Sequence, residues 1–219
     1  MKIGILGSGN VAQALGAGLR RKGHDVMLGT SNPAKLSDWL SRSGGVRVGS
    51  FADVAAFGEL VVLAVKGTAA VAAVRTAGPT ALAGKTVLDA TNPIADKPPI
   101  NGVLQFFTGP NDSLLETLQR EFPQVRFVKA FNSVGSAHMV DPQFVGGPPT
   151  MFIAGNDDAA KAKVAALVND LGWEIADMGR AEAARAIEPL CMLWCIPGLL
   201  HNEWAHAFKL VRPPQAQKK

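Results

Sequence analysis

Short runs of branched aliphatic residues alternate along the chain with longer stretches in which apolar residues recur every three or four positions. Residues 3–6, 25–28, 46–48, 60–65, 86–89 and 125–129 are short runs rich in branched aliphatic residues, as strands of a sheet covered on both faces are. Between them the helical period predicts helices over 10–22, 33–42, 68–77 and 112–121. This alternation signals βαβ units, and with them a Rossmann-type α/β fold: a doubly wound, mainly parallel sheet covered by helices.

Turn and cap residues divide the chain further. Asn32-Pro33 offers a helix cap with proline at the first helical position, and Lys22-Gly23 a basic last turn followed by a stopping glycine. Pro98-Pro99, Asn101-Gly102 and Gly109-Pro110 mark 91–111 as a long loop, expected to carry a short helical piece. Such a loop in a compact domain is often functional. The break from Asp141-Pro142 to Pro148-Pro149 separates a body over 1–140 from a smaller C-terminal α/β lobe over 150–210. That lobe is expected to hold a strand at 150–154, a helix at 157–171, a strand at 173–176 and a helical region from Arg180. Its strands could extend the sheet, Pro189 and Pro197 should bend or break its last helix, and 211–219 reads as a loose tail.

Composition narrows the function classes. With 219 residues and 47% hydrophobic content the chain can bury a full core. The net charge of +4 is spread along the chain apart from Arg20-Arg21-Lys22, and there is no tyrosine, which argues against a nucleic-acid partner. Met1-Lys2 runs straight into an apolar strand without the regions of an export signal. The most apolar stretch, 190–200, contains Pro197-Gly198 and falls short of the roughly 20 residues of a membrane span. A cytoplasmic protein with no membrane partner is the expectation. Cys191 and Cys195 stand four apart, as buried thiols or a redox pair.

The chemistry begins at the first strand. Gly7-Ser8-Gly9-Asn10-Val11-Ala12 follows it in the pattern G-x-G-x-x-A. Gly7 permits the tight turn, Gly9 lets the backbone approach a pyrophosphate, and Ala12 lets helix pack on strand. The helix start then turns free N–H groups and the positive end of its dipole toward phosphate. A dinucleotide is therefore the expected cofactor.

At the end of the second strand an acid would accept from the ribose 2′-OH of NAD. Here the chain reads Gly29-Thr30-Ser31-Asn32-Pro33-Ala34-Lys35, with no acid. Two hydroxyls, a helix start and Lys35 favour a 2′-phosphate, so NADP(H) over NAD, although Ser31-Asn32-Pro33 also reads as a plain helix cap. Asp25 begins that strand and is a poor ribose ligand. Ligands of open α/β sheets lie at the carboxyl ends of the strands, which nominates Ala64, Val65, Lys66, Gly67 and Thr68, then Ala90, Thr91 and Asn92, then Ala130 to Ser133. Lys66 reads equally as a solvated strand-end residue.

Several segments together resemble the coenzyme F420-dependent NADP oxidoreductase family, which is related to the nucleotide-binding domain of the STEAP ferric reductases. They are Gly7-Ser8-Gly9-Asn10-Val11, Gly29-Thr30-Ser31-Asn32-Pro33, Asp89-Ala90-Thr91-Asn92-Pro93, Val128 to Gly135, Ala154-Gly155-Asn156-Asp157 and Asp177-Met178-Gly179-Arg180, with Ala184-Arg185 and Glu188-Pro189-Leu190. The resemblance implies NADP contacts from Ser8, Gly9, Asn10, Val11, Thr30, Ser31 and Lys35. It also implies a cleft for the deazaflavin F420 or a flavin-like substrate lined by Asn132, Ser133, Val134 and Ser136.

Hydride transfer between two rings needs positioning more than proton transfer, in keeping with a sequence that offers no triad or dyad. His201 and His206 are five apart and share no helix face as zinc ligands would. His138 borders the cleft or lies in a surface loop, while Asp177, Arg180, Glu182, Arg185 and Glu188 read as ion pairs and caps. Trp194, Leu199, Trp204 and Phe208 either pack on the body or form a homodimer contact. Three readings follow: an NADPH:acceptor oxidoreductase with a small-molecule redox substrate, a reductase of another carbonyl or imine, and a non-enzymatic NADP(H) sensor.

Overall fold

The computed structural model describes residues 1–213. Its strands are β1 (Lys2–Leu6), β2 (Asp25–Gly29), β3 (Arg47–Gly49), β4 (Leu60–Leu63), β5 (Thr86–Asp89), β6 (Arg126–Lys129), β7 (Thr150–Gly155) and β8 (Glu174–Asp177). They form one sheet in the order β3-β2-β1-β4-β5-β6-β7-β8. The first six pair in parallel, β7 runs antiparallel to β6, and β8 is parallel to β7. The chain winds outward from β1 to β3, returns beside β1 as β4, and winds the other way. That reversal opens a crevice at the carboxyl ends of β1 and β4.

The helices are α1 (Asn10–Arg21), α2 (Ser37–Leu40), α3 (Phe51–Phe57), α4 (Ala70–Ala77), α5 (Pro79–Leu82), α6 (Leu114–Glu121), α7 (Asp158–Asp170), α8 (Ala184–Ile187) and α9 (Pro189–His201). On one face of the sheet, Leu15 and Leu19 of α1 and Val164 and Val168 of α7 cover Ile3, Ile5, Val62 and Val128. On the other, Val54 of α3, Val74 of α4 and Leu115 and Leu118 of α6 cover Leu6, Val61, Leu63 and Val87. Alternate residues of β1 and β4 thus point into two cores, which is why their sequences are apolar without alternation.

Four local expectations change. Residues 33–42 form a 3-10 turn, Pro33–Leu36, followed by the single turn of α2. Asn32 caps nothing with its side chain; the Thr30 hydroxyl instead accepts from the Asn32 N–H at 3.1 Å. The 91–111 loop contains no helix. It folds back through bridges Ile94–Phe106 and Ile100–Val103, the inner one closed by Asn101 (φ 50°) and Gly102 (φ 80°), the two-residue turn whose twist matches a hairpin. Helix α3 went unread, although Ser50 and Asp53 cap it reciprocally.

The fourth change is at Pro197, which lies inside α9 rather than ending it. The helical stretch Ala181–His201 therefore reaches 21 residues, and its most apolar 18-residue window has a mean hydropathy of 1.3 and is one third buried. By length and composition it is the one such stretch among the described residues that could cross a membrane. Cys191, Trp194 and Gly198 pack it onto the protein. The strands expected for the smaller lobe join the same sheet as the body. Residues 214–219 of the expected tail lie outside the described residues.

Candidate dinucleotide site

Strand β1 ends at Leu6, and Gly7 turns the chain with φ +134°. Any Cβ at Gly7 would collide with the Ala64 carbonyl oxygen beyond β4, so two strand ends meet here only because residue 7 has no side chain. At Gly9 a Cβ would meet nothing within 4 Å. The space over Gly9 is thus open to a ligand, and α1 begins beside it with no side-chain cap and no acid in its first turn. The N–H groups of that turn have no partner within the helix, and the dipole end is left for an anion. Gln13 donates to the Ser8 carbonyl at 2.8 Å and fixes the loop from below. These features fit the pyrophosphate of a dinucleotide.

Two adjoining cavities occupy the crevice. One, of about 300 Å3, is lined by Gly7, Ser8, Gly9, Gly29, Thr30, Ser31, Phe51, Ala64, Val65 and Lys66. The second, of about 310 Å3, continues from Val65 and Lys66 past Val11, Gly67, Ala90, Thr91 and Asn92 to Ile94 and Asp96. Glycine-loop, second-strand and later strand-end residues nominated separately therefore share one groove. Asn10, Asn32 and Lys35 are exposed and do not line either cavity. Lys66 is 83% exposed, 3.8 Å from Asp96, which is itself 73% exposed. This pair contributes little to stability.

The segment after β6 lies deeper than expected. Asn132, Ser133 and Val134 are buried, Ser136 is half-buried, and none of them lines the two cavities. Asn92 Nδ2 donates to the Asn132 carbonyl at 2.7 Å, while Asn132 Nδ2 donates to the Ile187 carbonyl at 2.8 Å. Asn132 follows Phe131, whose φ of +61° is a left-handed conformation rarely held by a bulky residue. The Asn132 side chain ties β6 to α8, and its backbone braces the cavity wall at Asn92.

Sequence reading missed a charged cluster beneath that wall. Lys129, fully buried, lies 2.6 Å from Asp89 Oδ2 and 2.9 Å from Glu188 Oε1, and donates to the Thr91 carbonyl at 2.9 Å. Burial pushes its ammonium pKa down, but attraction from Asp89 and then Glu188 outweighs this and holds it above the ordinary lysine value. Asp89 Oδ1 accepts from the N–H and hydroxyl of Thr91 at 2.9 and 2.6 Å. Glu188 caps α6 from a distance, accepting from the Leu114 and Leu115 N–H groups at 2.9 and 3.0 Å. Charged residues at the carboxyl ends of two buried strands, Asp89 and Lys129, were the available signal. Phe51, Ile94 and Asp96, which also line the groove, were missed as well, the first because α3 was.

The remaining candidates serve packing. Arg185 pairs with Glu116, Lys161 with Asp177, and Arg180 donates to the Asn156 carbonyl. His206 stacks on Trp194 at 5.0 Å and bonds to its carbonyl, and His138 lies against Phe144. Cys191 and Cys195 are free. The contact with Cys195, then burial, pushes the Cys191 thiol pKa well up, which opposes thiolate chemistry there.

Comparison with known proteins accords with this groove. Residues 2–93 match the family model described as NADP oxidoreductase, coenzyme F420-dependent. A crystal structure of a candidate F420-dependent NADP-reductase from Arthrobacter sp. FB24 is 38% identical, with a TM-score of 0.90 over 97% of this chain and 100% of that one. The chain belongs to the coenzyme F420-dependent NADP oxidoreductase family. Family membership makes it an NADP-linked oxidoreductase by class. Metalloreductase STEAP3 of Rattus norvegicus is 31% identical over 205 residues, 91% of this chain, which spans 39% of that relative's length. A reductive aminase from Aspergillus terreus, solved with NADPH and ethyl levulinate, shares the fold at 17% identity and a TM-score of 0.66, over 92% of this chain and 62% of that one.

Proposed function

We propose that the protein binds NADP(H) along the groove and exchanges a hydride between its nicotinamide and coenzyme F420 or a flavin-like ring. The observation that carries this reading is the continuity of the two cavities through their shared residues Val65 and Lys66. The pyrophosphate sits over Gly9 and the start of α1, held by Ser8, Asn10 and Val11. The adenosine half extends toward Thr30, Ser31 and Phe51, where Asn32 and Lys35 at the rim complete a site for the 2′-phosphate. The nicotinamide half then enters the second cavity, between Val11, Val65, Lys66, Ala90, Thr91 and Asn92. NADPH supplies the hydride; the chain's part is to orient the ring and shield one face, with no acid or base demanded.

The acceptor ring docks against the open side of this cavity, near the 94–107 loop. The segment from Asn132 to Ser136 shapes that region from behind rather than by direct contact. The enzyme works in the cytoplasm, and the exposed Leu193, Leu199, Leu200 and Trp204 of the C-terminal segment belong to a homodimer contact. Light scattering of the purified protein, with Leu193→Glu as the disrupting variant, checks the dimer; a monomeric wild type would remove that part.

Oxidation of NADPH by purified protein, offered F420, FMN and FAD in turn with NADH as control reductant, tests the function. F420-dependent oxidation of NADPH but not NADH is expected. Saturable NADPH binding with no oxidation in any arm would overturn the acceptor assignment and favour the sensor.

A further inference from the structure

The cluster beneath the Thr91–Asn92 wall carries unbalanced charge. Its contacts to the Asp89 and Glu188 carboxylates come from the Lys129 ammonium, the N–H groups of Thr91, Leu114 and Leu115, and the Thr91 hydroxyl. Each is a donor, the set of partners that acceptor-only carboxylates take. Two carboxylates against one ammonium leave one negative charge in excess, with Asp89, Lys129 and Glu188 at 0–1% exposure. The start of α6 offsets part of it. The charged residues that line the cavity, Lys66 and Asp96, oppose one another and lie in solvent. Buried charge is weakly screened and acts over longer distances than exposed charge.

We propose that this Lys129–Asp89–Glu188 cluster is a redox-tuning element, its excess negative charge favouring the oxidised over the reduced nicotinamide in the adjoining cavity. The inference rests on the NADP(H) reading of the groove. NADP+ carries one more positive charge on its ring than NADPH. A negative field from behind Thr91 therefore tightens NADP+ relative to NADPH and makes bound NADPH the stronger hydride donor. These are positioning residues: Lys129 acts through the Thr91 carbonyl and Glu188 through the start of α6.

The test is the ratio of dissociation constants for NADPH and NADP+, measured by calorimetry with each form alone, so that it does not depend on turnover. Glu188→Gln and Asp89→Asn each neutralise the cluster and are expected to shift the ratio toward NADPH by about threefold or more, the lower bound being one charge acting over roughly 25 Å at an effective dielectric of roughly 20. Thr91→Val removes a hydrogen bond but no charge. It should weaken both forms together and leave the ratio within about twofold, since a merely structural loosening does not distinguish them. An unchanged ratio in whichever acid variant folds, or an equal shift in Thr91→Val, overturns the proposal. Failure of the wild type to bind either form would instead overturn the underlying reading of the groove.

Discussion

The Asn92 side chain donates to the backbone carbonyl of Asn132 at 2.7 Å, joining the carboxyl end of β5 to that of β6. The bond uses a side chain that lines the second cavity and a carbonyl that does not. Asn92→Ala should leave the wall loose while sparing the pyrophosphate contacts. The expected result is a kcat lower by about tenfold with NADPH affinity changed less than about threefold, the pattern of lost positioning rather than lost binding. Steady-state kinetics paired with equilibrium titration separates the two.

Asn132→Ala acts elsewhere. It leaves the backbone acceptor of Asn92 in place but strips the Ile187 carbonyl of its partner. Leaving that buried acceptor unpaired should cost about 1–3 kcal/mol, read as a lower denaturation midpoint with the slope unchanged.

The two glycines of the loop part ways. At Gly9, where φ is −78° and a Cβ meets no atom, alanine should fold with wild-type stability yet bind NADPH at least about tenfold more weakly, because the methyl occupies the ligand's approach. At Gly7, alanine meets both a positive φ and the Ala64 carbonyl, so stability itself should fall. Thermal melts with and without NADPH distinguish them.

The 2′-phosphate reading predicts a specificity change. Thr30→Asp places a ribose acceptor at the end of β2 and repels phosphate, and should lower the NADPH over NADH preference by about tenfold or more. Lys35→Ala, at the exposed rim, should lower it by about threefold. Fluorescence titration with each reduced cofactor measures both.

Glu116 gives a pH dependence unrelated to binding. Its hydrogen bond with Arg185 comes first among the causes that hold its carboxyl below the usual glutamate value, against a smaller cost of burial. Between the folded and unfolded pKa values the unfolded chain binds more protons, so stability rises with pH there. The contribution is present above about pH 4.5 and is lost as pH falls through the depressed value. Arg185 is 39% exposed on its side chain, so solvent screening limits the pair to about 1 kcal/mol. Arg185→Met should lower the urea midpoint at neutral pH and narrow the gap from wild type in acid.

What was legible in the sequence was what local chemistry dictates. Gly7, Gly9 and Ala12 identify the turn because each must be small for its own backbone reason, and the apolar strands show their burial directly. The smaller features depended on tertiary contact. Pro197 was expected to bend or break the last helix, and that helix continues through it, with Trp204 folded back onto Gly198. Asn132 looked like a ligand contact because it follows a strand end, whereas Ile187, brought to it only by the fold, takes its side chain. Glu188 was readable as a cap but not as one for α6, since Leu114 and Leu115 are more than seventy residues away in sequence and meet it only where α8 packs against α6.

The central claim is that the groove across Gly7 and Ala64 holds NADP(H). Its most direct test is equilibrium titration of wild type and Gly9→Ala with NADPH and NADH. The wild type is expected to bind NADPH saturably and NADH about tenfold or more weakly, and the variant to lose NADPH affinity while remaining folded. Equal binding of NADPH by the folded variant and the wild type would contradict the claim.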